Sequence, residues 1–222
     1  RREELLKLLR LPQPALAFQE ADDLGMLKEL MPTLTRLLNK DLEKKELFFR
    51  ELRHIPDWTV DPENPPELFA VLLLAFVRSQ WPENDNHFFR AKEFLEHPWI
   101  LDIMKNELGM FKWEQSLVAK AFQLQKPLVH RKDYEQRGDR RQMAILKSDA
   151  FLLALKLAQR SHRLSGQDWS FWYQKYVEAL PKIDKIRMEE QSQKQKKGRQ
   201  KRKKSKQGAK IPKGKTDNKI ES

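Results

Sequence analysis

Ten consecutive residues, 68–77 (LFAVLLLAFV), carry neither charge nor a polar side chain. Asn64, Pro65, Pro66 and Glu67 precede them: a capping side chain, prolines that forfeit no needed donor, and an acid for the first turn. Arg78 lies near the other end, where positive charge suits the helix dipole. A helix that is apolar on every side must be covered on every side, so residues 66–80 are predicted to be the buried hub of a helical core. A membrane-spanning helix needs about 20 apolar residues, twice this run, so no membrane span is expected.

The segments around the hub read as helices. Residues 2–10 put Leu5, Leu8 and Leu9 on one face, and Pro12 ends them. Pro14 opens the next helix, with Leu16, Phe18 and Ala21 available for burial. Asp23 can cap a turn over 24–31 that Pro32 closes, and Gly25 sits where the backbone pivots or approaches a neighbour. Together these make an αα-hairpin. Residues 33–55 read as one further helix, with Leu38, Leu42, Phe49 and Leu52 at near-helical spacing. A loop holding Trp58 follows over 56–65. After the hub, a polar turn at 81–86 leads to a helix capped by Asp85 and lined by Phe88, Ala91 and Leu95. Pro98 restarts the helix, Trp99, Ile103, Met104 and Leu108 line one side, and Gly109 ends it. Residues 114–126 carry Leu117, Ala121 and Leu124 on one face up to a stop at Pro127. In 147–162, Phe151, Leu152, Leu155 and Ala158 point inward. Asp168 then caps a helix with the stripe Trp169, Trp172, Tyr173, Tyr176, Val177 and Leu180. No alternating strand pattern and no fixed-period repeat is present. The expected fold class is all-α: an irregular multi-helix body over 1–192, beginning with the hairpin at 1–36, and a disordered basic tail over 193–222.

Charge divides the chain in the same way. The net charge is +12, yet residues 194–222 hold 13 Lys and Arg against two acids, leaving +1 for the rest. Lys196, Lys197, Arg199, Lys201, Arg202, Lys203, Lys204 and Lys206 form the densest part of this block. So concentrated a like-charge run suits RNA phosphates; localisation, ribosome docking and membrane attraction are its other uses. Within the body, 129–141 is the most basic stretch, with Arg131, Lys132, Arg137, Arg140 and Arg141 around Gly138. It reads either as a solvated loop or as a phosphate-contacting one. The aromatic stripe at 169–176 has two readings as well, a base-stacking platform or, more commonly for helical spacing, core.

Catalytic chemistry has little foothold. There is no cysteine, which excludes disulfides, cysteine-ligated zinc and a thiol nucleophile, and fits a reducing compartment. The five histidines stand apart without metal-ligand spacing. The glycines are scattered and form no phosphate-cradling motif. No catalytic residue, metal site or cofactor is expected in this chain.

The residues Arg2-Glu3-Glu4-Leu5-Leu6-Lys7-Leu8-Leu9, then Pro14-Ala15, then the run from Leu24-Gly25-Met26-Leu27 through Met31-Pro32-Thr33-Leu34-Thr35-Arg36, carry a resemblance. They resemble the region that follows the catalytic domain in bacterial poly(A) polymerases and the related CCA-adding tRNA nucleotidyltransferases. The likeness continues through the hub helix to about Leu180, and the Pro-Thr-Leu-Thr-Arg ending and basic tail look more like the poly(A) polymerase branch. The resemblance implies RNA as partner, a DEAD-box RNA helicase as a second partner, and a cytoplasmic monomer. It also implies a parent that adds AMP from ATP, with Mg2+, to RNA 3′ ends. In the resembled family, nucleotidyl transfer uses a carboxylate pair after a Gly-Ser turn; the pair must project together from a strand so that two metal ions clamp the attacking and leaving oxygens. Asp22-Asp23 lies in the helical hairpin, and Asp61, Asp85 and Asp102 stand alone, so no catalytic role carries over. The chain starts inside a helical pattern without Met and is read as the C-terminal piece of something longer. A helical protein-binding scaffold with a ribosome- or RNA-docking tail is the alternative.

Overall fold

A computed structural model of the chain describes residues 1–53, 63–81 and 89–207. Among the described residues there are thirteen α-helices and one π-helical turn, and no strand, as an all-α reading expects. The chain divides into two compact units, residues 1–177 and 178–222.

The hub is the centre of the first unit. Helix α6, Pro65–Gln80, buries every residue from Pro66 to Phe76. It packs against α1 (Arg2–Arg10), α5 (Leu42–Arg53), α9 (Lys112–Val129) and α12 (Phe151–Arg160). A helix without a polar face can bury every side only by collecting this many neighbours. Its two charged ends are tied down. Lys156 Nζ lies 2.7 Å from Oε1 of the buried Glu67, and Arg78 Nε lies 2.7 Å from Glu51 Oε2.

The N-terminal hairpin consists of α1, α2 (Pro14–Asp23), α3 (Met26–Leu30) and α4 (Pro32–Leu38). Gly25 takes φ +74° with nothing near its missing side chain, so it is a pivot and not a close approach. Pro32 opens a helix where the sequence suggested it closes one, because proline at the first helical position loses no bonded donor. Leu6, not Leu8, joins Leu5 and Leu9 inside, and Leu16 is exposed.

The single helix expected over 33–55 is two. Asp41 accepts from Lys44 N–H (3.2 Å) and starts α5 afresh, which leaves Leu42 on the outside. In α9 the buried face is Glu114, Val118, Ala121, Phe122, Gln125 and Leu128, rotated away from Leu117 and Leu124. The helix also passes through Pro127 to Val129. Helix α7 (Ala91–Glu96) buries Phe94, and α8 (Pro98–Asp102) runs into the π-helical turn Ile103–Glu107, which buries Ile103 and Met104 while Trp99 and Leu101 stay exposed. Leu152 likewise lies outside. Trp58, Asp61, Asp85 and Phe88 lie outside the described residues.

The second unit takes the later part of α13, Gly166–Gln207. Its backbone stays helical past 193, where the sequence reading expects order to end. Lys, Arg and Gln are strong helix formers, so fading amphipathicity does not by itself end a helix. Residues 208–222 lie outside the described residues.

Candidate nucleic-acid interface

The basic stretch at 129–141 is not a loop. It forms α10 (Arg131–Glu135) and the start of α11 (Asp139–Leu146), with Gly138 between them. Tyr134 fastens α10 to α13: the Tyr134 and Trp172 ring centroids are 4.5 Å apart. Trp172 is fully buried and donates its indole N–H to the Leu128 carbonyl at 3.0 Å. Gln142 fastens α11 to α10 by donating from Nε2 to the carbonyls of Arg137 (2.7 Å), Tyr134 (3.3 Å) and Glu135 (3.4 Å). The result is a fixed corner of two short helices braced against the first turns of α13.

The five body cations divide within this corner. Arg131 is committed to the fold: it bonds Glu135 at 3.0 Å, lies 3.7 Å from Asp168, and places its guanidinium 3.8 Å over the Phe171 ring. Lys132, Arg140 and Arg141 are exposed, Arg137 is half-buried, and none of these four side chains has an ion-pair or hydrogen-bond partner among the described residues. Unpaired guanidinium and ammonium groups on a rigid support can meet phosphates without first breaking an internal pair. The tail cations Lys196, Lys197, Arg199, Lys201, Arg202, Lys203, Lys204 and Lys206 belong to the second unit, on the helical backbone of α13.

The aromatic stripe is also divided. Trp172 is core, and Tyr176 stacks on Phe151 at 5.2 Å. Tyr173 and Val177 are exposed, and Trp169 stacks in parallel on Tyr173. The cap of α13 is Ser165, whose hydroxyl oxygen accepts from Asp168 N–H at 3.1 Å while the hydroxyl donates to the Asp168 carboxylate at 2.7 Å. Asp168 is therefore a first-turn residue held by the Ser165 cap and not the cap itself.

The hairpin is built the other way round, with its distinctive residues turned inward. Arg2 forms a two-point pair with Glu114 (2.7 and 2.9 Å), donates to Gly109 O at 3.0 Å, and lies between the rings of Phe69 and Phe111. Thr33 and Leu34 give their N–H groups to the buried Glu107 carboxylate at the start of α4, and the Thr33 hydroxyl donates to Asp102 at 2.5 Å. Burial pushes the Glu107 carboxyl above its usual range, against the opposing pull of those two N–H donors. The hydrogen bonds from Thr33 and Asn106 hold Asp102 below its own. The Arg and Pro-Thr signatures of the hairpin are therefore anchors. Their partners lie 69 or more residues away in sequence, which is why spacing alone did not reveal them.

The comparison with known families falls on this hairpin. A family described as "Probable RNA and SrmB- binding site of polymerase A" matches residues 1–38. Residues 1–38 look like a poly(A) polymerase RNA-binding region. No curated protein and no solved structure matches the chain. Among the described residues no group of three or more His, Asp or Glu side chains comes together to hold a metal ion. No described helix is long and apolar enough to cross a membrane.

Proposed function

We propose that this chain is the RNA-binding C-terminal region of a bacterial polynucleotide adenylyltransferase, the poly(A) polymerase branch of the tRNA nucleotidyltransferase family. The observation that carries this reading is the match over residues 1–38. The α10–α11 corner and the tail supply what the matched hairpin lacks. Residues 1–38 hold six Lys or Arg against six acids, so the hairpin alone offers phosphates no net attraction. In this reading the body holds the RNA through the unpaired corner cations and the tail adds sequence-independent affinity. The carboxylates, ATP and Mg2+ of nucleotidyl transfer belong to a catalytic domain outside this chain. The protein works in the cytoplasm as a monomer, and a DEAD-box RNA helicase is its protein partner.

A protein-binding role for the hairpin has its own support. Leu24 and Met26 project at its tip, 74% and 55% exposed, and the family's description names SrmB beside RNA. Uncharged apolar side chains suit a protein surface better than a phosphate backbone.

A salt titration of RNA binding tests the reading, with the full chain and with residues 194–222 removed. Log affinity falls with log salt by about 0.7 per phosphate neutralised on a single strand. With about half of the 13 tail cations engaged, the full chain should show a slope near −4 or steeper. The truncated protein should keep its melting temperature, bind with a shallower slope and retain measurable affinity. Complete loss of RNA binding on truncation would leave the body as a protein scaffold.

A further inference from the structure

Between α2 and α5 runs a groove that the RNA reading does not use. The two helices are antiparallel. Asp22, near the end of α2, pairs with Lys45 near the start of α5, and Arg53, the last residue of α5, donates to Gln19 at 3.4 Å. All four residues line a cavity of about 630 Å³. A second cavity, of about 490 Å³, shares Leu16, Gln19 and Arg53 with the first and continues to Pro12. The groove therefore follows the ten residues of α2, about 15 Å at 1.5 Å per residue.

Its lining has an order. Ala15 and Phe49 are buried beneath it, while Leu16 and Leu42 stand open, 48% and 69% exposed. Glu20, Asp23 and Glu46 line the end where Asp22 meets Lys45, and Arg50 and Arg53 line the other. Glu20, Asp23, Glu46 and Arg50 are exposed and have no side-chain partner among the described residues.

This order narrows what can lie there. RNA would bring its phosphates against three unpaired carboxylates. A small-molecule site is lined mainly by apolar groups with a few polar ones, whereas seven side chains here are charged. A third helix suits the space, because its side-chain ridges fit the channel between two packed helices and its apolar row can cover Leu16 and Leu42. Charge sets the pattern of that helix: basic beside Glu20, Asp23 and Glu46, acidic beside Arg50. The acidic end also leads onto the hairpin tip, where Leu24 follows Asp23 and is 74% exposed.

We propose that the α2–α5 groove docks an amphipathic helix of a protein partner, about three turns long, with an apolar row, Lys or Arg at one end and Asp or Glu at the other. The proposal rests on the protein-binding reading of the hairpin above and extends it by naming the site and the chemistry of the partner. One wall of the groove, α5, lies beyond the matched residues 1–38.

The test uses the full chain, and the probe is purified SrmB, the protein that the matched family's description names. Leu16→Ala/Leu42→Ala should weaken SrmB binding by about 10-fold or more, because two apolar contacts shrink. Leu16→Met/Leu42→Met keeps the volume and should keep the affinity. Both leucine variants should retain the melting temperature and the RNA affinity of the unmodified chain, which separates loss of docking from loss of fold. Glu20→Lys/Asp23→Lys/Glu46→Lys should also weaken SrmB binding by about 10-fold or more and slow its association at low salt. Hydrogen exchange of the complex should protect one SrmB segment with the proposed order of apolar and charged residues; protection of a segment without that order would overturn the proposal. SrmB binding that is unchanged in the alanine and lysine variants would overturn the groove and leave the protein-binding reading standing. Equal loss of RNA affinity in the alanine variant would make the groove an RNA surface and overturn the proposal too. If the unmodified chain does not bind SrmB, the protein-binding reading fails and the groove falls with it.

Discussion

The hairpin and the α10–α11 corner use the same residue types in opposite directions. In the hairpin, Arg2 pairs with a carboxylate that is 1% exposed, between two phenylalanine rings. In the corner, Arg131 does a similar job against Asp168 and Phe171, but its neighbours Lys132, Arg140 and Arg141 face solvent without partners among the described residues. A family signature can therefore record what anchors a hairpin to its own fold, while the charges left without internal partners lie in less distinctive sequence. Phosphate contact needs only charge at the right spacing, whereas an anchor needs one residue type in one geometry.

The comparison breaks most visibly at Arg2. Arg2→Ala should leave Glu114 buried without its partner and cost about 3–5 kcal/mol. The expected result is a large fall in thermal midpoint. RNA affinity measured well below that midpoint should change little, because Arg2 faces inward. An unchanged midpoint with weakened RNA binding would turn the hairpin into a contact surface and reverse the assignment.

The same contrast separates what the sequence discloses from what it hides. The hub could be read directly, because ten apolar residues in a row admit no exposed face, and all of 66–76 is buried. The burial of Trp172 follows from helical spacing. The buried face of α9 does not, because two of its members are polar. Glu114 goes inside to meet Arg2, and Gln125 goes inside to donate to Ala154 O at 2.9 Å. A pattern that assigns polar residues to the outside rotates such a helix the wrong way. The break at Asp41 was hidden by leucines that kept their spacing across it while a side-chain cap restarted the helix. In the corner, the charges were legible and their division was not. Only tertiary structure shows that Arg131 is occupied, or that Gln142 holds two helices together.

Removing the corner's unpaired charges should give the next largest effect. Lys132→Gln/Arg140→Gln/Arg141→Gln should make the salt slope of RNA binding shallower by about 2, from about 0.7 per lost contact. Weakening should be equal across RNA sequences, since phosphates carry no base information. The melting temperature should hold, because exposed charges without partners contribute little to stability. Arg131→Gln should behave differently, lowering the melting temperature as well as the affinity. If the triple variant keeps the full slope, the corner is only solvated and the tail carries all of the electrostatic contact.

The smallest effect should come from Gln142, which has no charge to lose. Its three bonds satisfy carbonyls at the end of α10 and fix where α11, with Arg140 and Arg141, projects. Gln142→Ala removes these bonds and should cost about 1 kcal/mol of stability, because the carbonyls are partly open and water can replace the amide. The cations stay in place chemically but lose their fixed positions. Ordering them again on binding should weaken RNA affinity by about 2- to 5-fold, equivalent to about 0.5–1 kcal/mol. The salt slope should stay as in the unmodified protein, since the number of phosphate contacts is the same. A drop in stability without any drop in affinity would mean that the cations act through charge density alone. A drop in affinity at unchanged slope would show that the geometry of the corner, and not only its charge, is used by the RNA.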